Sequence, residues 1–198
     1  MLTAGVACAV LLVLTACSSG ERQAHRFISD MDPELLVEEH YSVSSCDLGE
    51  RLKGCSSGHL TSFHAEVVEG AEPQALGEHL AALEEEHGFL PTLKLTEDAV
   101  LQHHRMYFIY DSPNEHLMQL SAEEWTDVIE VLLAAEDVAG DVGVRGVLYR
   151  ETSRNFPVRL NLVLREDRDP RAESVHAQLA RQLPDPESFE VTLRDLPR

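Results

Sequence analysis

Three amphipathic stretches of helical period, each closed by a breaker and each preceded by strand-like runs, constrain this 198-residue chain more than any other feature. The first runs from about Pro73 to His87. Proline suits the first helical position, where its missing N–H has no partner to lose. Leu76, Leu80 and Leu83 form one stripe, and Gly88 supplies the stop. The second runs from about Ala122 to Ala139. Ser121 with Glu124 makes a capping box, each side chain satisfying the other residue's free N–H. Trp125, Val128, Ile129, Leu132 and Leu133 follow the spacing of a buried face. The third runs from about Pro170 to Leu183, with Asp169 as cap, Pro184 as terminator and Ala172, Val175, Leu179 and Leu183 as its stripe. One stripe per helix predicts packing on one side only.

Strand signals fill the intervals. Residues 60–69 alternate Phe63, Ala65 and Val67 with Ser62, His64 and Glu66, the period of a half-buried strand. Residues 104–110, with Tyr107, Phe108 and Tyr110, suit a central strand. Residues 142–150 and 157–165 read as a hairpin through Thr152, Ser153, Arg154 and Asn155, with Val158, Leu160, Leu162 and Leu164 facing the core. Residues 189–193 alternate again, and 35–43 and 91–96 are weaker candidates. The helices begin at Pro73, Ala122 and Pro170, 49 and 48 residues apart, in the order ββα, ββα, ββα, β. Spacing of this size marks internal repeats in many folds, but the three units share little residue identity. The fold expected is α+β: a single domain over residues 34–198, with about three helices on one face of a mainly antiparallel sheet. Derivation from ββα repeats of about 49 residues is an alternative account of the same order.

Charge narrows the partners. With 35 Asp+Glu against 16 Lys+Arg the net charge is −19, which disfavours nucleic acid because phosphate attraction needs a basic surface. The acidity is uneven: Cys17–Asp141 carries 6 basic and 26 acidic residues, Val142–Arg198 carries 10 and 9. Arg145, Arg150, Arg154, Arg159, Arg165, Arg168 and Arg171 crowd one stretch. The plain reading is a solvated sheet face with scattered ion pairs. The functional one is a patch for a carboxylate-rich glycan or a lipid headgroup.

Candidate chemistry is sparse. Ten histidines invite metal capture. His59, His64 and Glu66 cluster if 60–69 is a strand, and one of His103 and His104 points the right way to join them. On the first helix His79, Glu86 and His87 fall near one polar side. There is no HExxH, no Cys-rich ligand set and no calcium-loop spacing. A nucleophile elbow, a Ser-x-x-Lys pair, a phosphate-cradling glycine loop and a dinucleotide fingerprint are likewise missing. Ser56, Ser57 and His59 are neighbours in sequence, which does not make a triad. No catalytic or cofactor-binding residue is assigned, and the chain is not expected to be an enzyme. Metal binding through His59, His64, Glu66 and His103 stands as the alternative, and a carboxylate-based wall-modifying enzyme stands behind that.

The amino terminus speaks to location. Ala4–Leu14 is small or apolar, no charged side chain precedes Glu21, and the run ends Leu14-Thr15-Ala16-Cys17. It is too short to span a bilayer, and no run in the chain reaches the roughly 20 residues that would. The segment resembles the lipobox signal of bacterial lipoproteins. The resemblance implies transfer of diacylglycerol to the Cys17 thiol, cleavage before it to remove residues 1–16, and acylation with a fatty acid such as palmitate. Two or more chains hold a protein at a membrane where one does not. Residues 17–33 then read as a flexible spacer. Once Cys8 leaves with the signal and Cys17 carries lipid, Cys46 and Cys55 remain. In an exported chain they read as one disulfide, worth roughly 2–3 kcal/mol for so short a loop. The expected function is a non-catalytic binding or interaction module, tethered at the plasma-membrane outer face or the outer membrane, with an envelope protein or wall component as partner.

Overall fold

The computed structural model describes residues 19–43, 60–103, 120–150, 158–183, 186 and 189–196. They form α1 (Ser19–Asp30), β1 (Leu36–Val43), β2 (Leu60–Val67), α2 (Pro73–His87), β3 (Thr92–Lys94), β4 (Ala99–His103), α3 (Ala122–Ala139), a 3-10 turn (Gly140–Val142), β5 (Val144–Arg150), β6 (Val158–Leu164), α4 (Ala172–Gln182) and β7 (Glu190–Leu193). The fold is α+β, with a mixed seven-stranded sheet whose strands lie in sequence order and four α-helices among the described residues. None of these helices is long and apolar enough to cross a membrane.

Contacts divide the chain into two compact units. The smaller, residues 1–30 with 40–63, contains α1 and parts of β1 and β2. The sequence predicts a flexible spacer over 17–33, yet 19–30 are helical. Polar residues mask a narrow stripe there: Ala24 and Phe27, three positions apart on one helix face, are both fully buried. Phe27 meets Phe63 edge to face at 5.0 Å, and Tyr41 meets Phe63 at 6.3 Å. The hydroxyls of Ser42 and Ser62 lie 2.6 Å apart.

The larger unit, residues 31–39 with 64–198, holds the other helices and most of the sheet. α2 starts on Pro73 and buries Leu76, Leu80 and Leu83. Gly88 ends it at φ 69°, donating its N–H to the Glu84 carbonyl. In α3 both capping-box bonds form: Ser121 Oγ accepts the Glu124 N–H at 3.2 Å, and the Glu124 carboxylate accepts the Ser121 N–H at 2.7 Å. Trp125, Val128, Ile129 and Leu132 are buried as spaced, while Leu133 is half-buried. α4 begins at Ala172, two residues later than the expected Pro170. Asp169 is the cause. Its carboxylate accepts the Arg171 N–H at 2.7 Å and its carbonyl accepts the Ala172 N–H at 2.9 Å, which closes a turn ahead of the helix.

The sheet is mixed rather than mainly antiparallel. The pairs β2–β3, β4–β5 and β6–β7 are parallel, whereas β3–β4 and β5–β6 are antiparallel. The helices explain this pattern. A strand followed by a helix has its chain carried back along the sheet, so the next strand runs in the same direction. A strand followed by a short turn reverses. After α1 the elements follow the expected order ββα, ββα, ββα, β, but α2, α3 and α4 have 15, 18 and 11 residues and β3 has three against eight in β2, so the order is shown and a regular repeat of about 49 residues is not. β4 forms over Ala99–His103, where no strand is expected. The expected strand 104–110 and the link through 152–155 lie outside the described residues. So do the signal segment and Cys17. The structure contains no disulfide bond among its described residues, which corrects the expectation of one between Cys46 and Cys55; both lie in 44–59, outside those residues. In the described part, cohesion comes from packing.

That packing centres on α3, which lies against β4, β5 and β6. Val158, Leu160, Leu162 and Leu164 face it, alternating with half-buried residues on the open side. α2 crosses α3 closely at Gly77, where an added Cβ would stand 2.3 Å from Thr126 Oγ1 and 2.8 Å from the Ala122 carbonyl oxygen. Deeper in the same contact, Trp125 Nε1 donates to the buried Glu84 carboxylate at 3.2 Å. Two outcomes are expected in urea unfolding. Gly77→Ala destabilises by about 1–3 kcal/mol through overpacking, outweighing the ~1 kcal/mol that alanine adds to a helix. Trp125→Phe keeps most of the volume and removes the donor to Glu84, at a cost of about 1–3 kcal/mol.

Candidate metal centre

The alternation of β2 places the first ligand. Phe63 and Ala65 are buried, so the intervening His64 points to the opposite side of the strand, as does Glu66. His64 sits opposite Thr92 and Glu66 opposite Lys94 across the parallel β2–β3 pair. Glu66 is engaged there. Its carboxylate lies 3.3 Å from Lys94 Nζ, which also meets Glu97 at 3.0 Å. Hydrogen bonds that the Lys94 ammonium donates to Glu97 and then to Glu66 hold it above its ordinary pKa, and Lys94 in turn holds Glu97 below the usual carboxylate range.

β1 supplies the other ligands. It stands at the end of the sheet order, and Val37, Glu38, Glu39 and His40 are all exposed along it. Glu39 and His64 belong to the larger unit, and His40 follows Glu39 in the chain. A carboxylate oxygen of Glu39 and one ring nitrogen each of His40 and His64 lie within 4.8 Å of one another. Among the described residues this is the group that brings three donor atoms together. Donors at zinc-bond lengths in a tetrahedral shell stand about 3.3 Å apart, so these side chains need to close by at most about 1.5 Å. Two imidazoles and a carboxylate suit zinc, copper or nickel. Three protein donors leave a coordination position to water.

The other histidines with described side chains have other contacts. His79 Nε2 accepts the Asp32 N–H at 3.0 Å. His87 lies against Phe89 with centroids 6.1 Å apart, so the polar helix set of His79, Glu86 and His87 does not form a ligand group. His176 Nε2 is 3.2 Å from the Arg194 carbonyl oxygen, and His25 lies edge-on to Tyr41. His59 is outside the described residues, and of His103 only the backbone is described, opposite Leu148 at the end of β4. Three arginines of the arginine-rich stretch are ion-paired. Arg159 meets Glu190 at 2.7 Å, Arg165 meets Asp98 at 3.9 Å, and Arg171 meets Asp169 at 3.0 Å and Asp141 at 3.3 Å. Such exposed pairs each contribute little to stability.

Sequence reasoning places His64 in the group and misses Glu39 and His40. The available signal is the run Glu38-Glu39-His40 inside a weak strand, but spacing along one strand does not reveal which strand lies beside it. Comparison of the chain with protein-family models, with curated proteins and with solved structures returns no match. Because Glu66 is held by Lys94, Glu66→Gln is expected to leave zinc affinity unchanged in calorimetric titration; a tenfold loss would place Glu66 among the ligands.

Proposed function

We propose that this chain is a cell-envelope lipoprotein whose domain is a non-catalytic module binding a divalent transition metal at Glu39, His40 and His64. The convergence of those three donors within 4.8 Å carries the reading. Location rests on Leu14-Thr15-Ala16-Cys17, which resembles a lipobox; in this reading Cys17 carries the lipid and the domain stands outside the plasma membrane or on the outer membrane. An acidic chain of net charge −19 raises the local concentration of cations, which favours capture from dilute solution. Two of the three ligands, Glu39 and His40, are exposed, and three donors leave a coordination position open to water, which favours exchange; the metal is then cargo passed to or from an envelope partner rather than a structural staple.

The test is zinc titration of the Cys17→Ser protein at pH 7.5, with native mass spectrometry for stoichiometry. One zinc per chain is expected. Loss of an outer partner of a metal ligand already costs ~10–100-fold in affinity, so His40→Ala and His64→Ala should each cost at least that. His176→Ala, away from the group, should cost nothing. Absence of saturable binding, or binding indifferent to both histidine changes, would overturn the reading.

A further inference from the structure

We infer that His79 is a proton-operated latch on the turn leading into β1, and that it regulates metal retention at Glu39 and its neighbours. The inference rests on the proposed metal site for its second half only. The latch itself stands on a hydrogen bond whose polarity admits one protonation state.

His79 projects from α2, and its Nε2 accepts the Asp32 N–H at 3.0 Å. A backbone amide can only donate, so Nε2 must carry a lone pair, and the ring is neutral with its proton on Nδ1. Protonation puts a hydrogen on Nε2 and sets two donors against each other. The bond cannot persist.

What this bond holds is the start of β1. The Asp32 carbonyl accepts the N–H groups of Leu35 and Leu36 at 3.0 and 2.8 Å, and its carboxylate accepts the Glu34 N–H at 2.9 Å. Leu35 in turn accepts the Val68 N–H at 3.0 Å, joining the strand's start to the end of β2. Met31 and Leu36, on either side of the turn, are buried. Glu39 follows Leu36 by three residues. His79 is thus the side-chain clasp, from α2, on the turn that positions a ligand.

The surroundings set the direction of the pH response. Burial, the larger influence, pushes the His79 imidazole below its ordinary value of 6.5, and the facing Asp32 carboxylate opposes it with a smaller upward pull. Glu78 is the neighbouring acid on α2, where it accepts from Gln74 at 3.1 Å. With the folded pKa depressed, the unfolded chain binds the proton more readily. The stability contributed by neutral His79 is therefore complete above pH 6.5 and is lost as pH falls from there through the folded pKa.

Two measurements on the full chain in detergent separate the latch from the site. First, amide exchange without metal is followed from pH 7.5 to 5.0, corrected for intrinsic rates. Protection at Asp32, Leu35 and Leu36 should drop about tenfold or more, the equivalent of ~1.4 kcal/mol. In His79→Gln, whose amide oxygen accepts at the place of Nε2 without titrating, it should stay level. Protection that is flat in the parent, or falls equally in both proteins, overturns the latch whether or not metal binds. Second, zinc affinity is measured over the same range. The parent should lose affinity more steeply than His79→Gln, because both carry the same ligands but only the parent loosens β1. Parallel profiles overturn the regulatory half while leaving the metal site standing. No zinc binding at pH 7.5 in either protein removes the site and with it the regulation.

Discussion

α3 lies as close to the sheet as it does because residue 146 has no side chain. A Cβ there would stand 3.0 Å from Leu160 Cδ1, 3.2 Å from Leu101 Cδ1 and 3.3 Å from Leu132 Cδ1. Leu132 of α3 and the leucines of β4 and β6 converge on the space that Gly146 leaves open. Burial at this point is nearly complete for all three leucines. The other helices of the larger unit are then placed by α3. α2 approaches it at Gly77 and is tied to it by the Glu84–Trp125 hydrogen bond, while α4 packs on α3 and β7. The core thus depends on two glycines at contacts where backbones and leucines meet.

Concentrating apolar residues on the helix side leaves the opposite side of the strands polar. His64, Thr92, Gln102, Asn161 and Thr192 occupy it in register across β2 to β7, with Val147 between them. Asn161 and Thr192 bond side chain to side chain. The alternation that buries Phe63 and Ala65 is what presents His64 on this side. Core and candidate metal centre follow from the same two-residue period.

The sequence made the helices legible wherever caps and stripes agreed. Pro73 with Gly88, and Ser121 with Glu124, mark ends that the structure reproduces, because these residues satisfy backbone groups that every helix leaves open. The hairpin of β5 and β6 was legible from alternation over a full seven residues. Strand direction was not, since it is decided by which strand a helix returns to and not by local pattern. α1 stayed hidden because a stripe of two residues gives almost no periodic signal. β4 stayed hidden for a similar reason, being short and next to the more aromatic 104–110. His64 was legible as a candidate because alternation alone sets its side of the strand. Glu39 and His40 required the neighbour of β2 to be known, which depends on long-range pairing. His79 reads in sequence as part of a polar set with Glu86 and His87 on the first helix, and only the position of Asp32 gives it its role.

β1 ends the sheet order, and such a strand offers open backbone groups to any other extended chain. Val37, 52% exposed, makes that edge adhesive, and Glu38 and Glu39 beside it supply the charge that discourages a second strand from docking. In the proposed site Glu39 is also a ligand. Its charge would be neutralised whenever the site is filled, so occupancy and solubility are set against each other on the same strand.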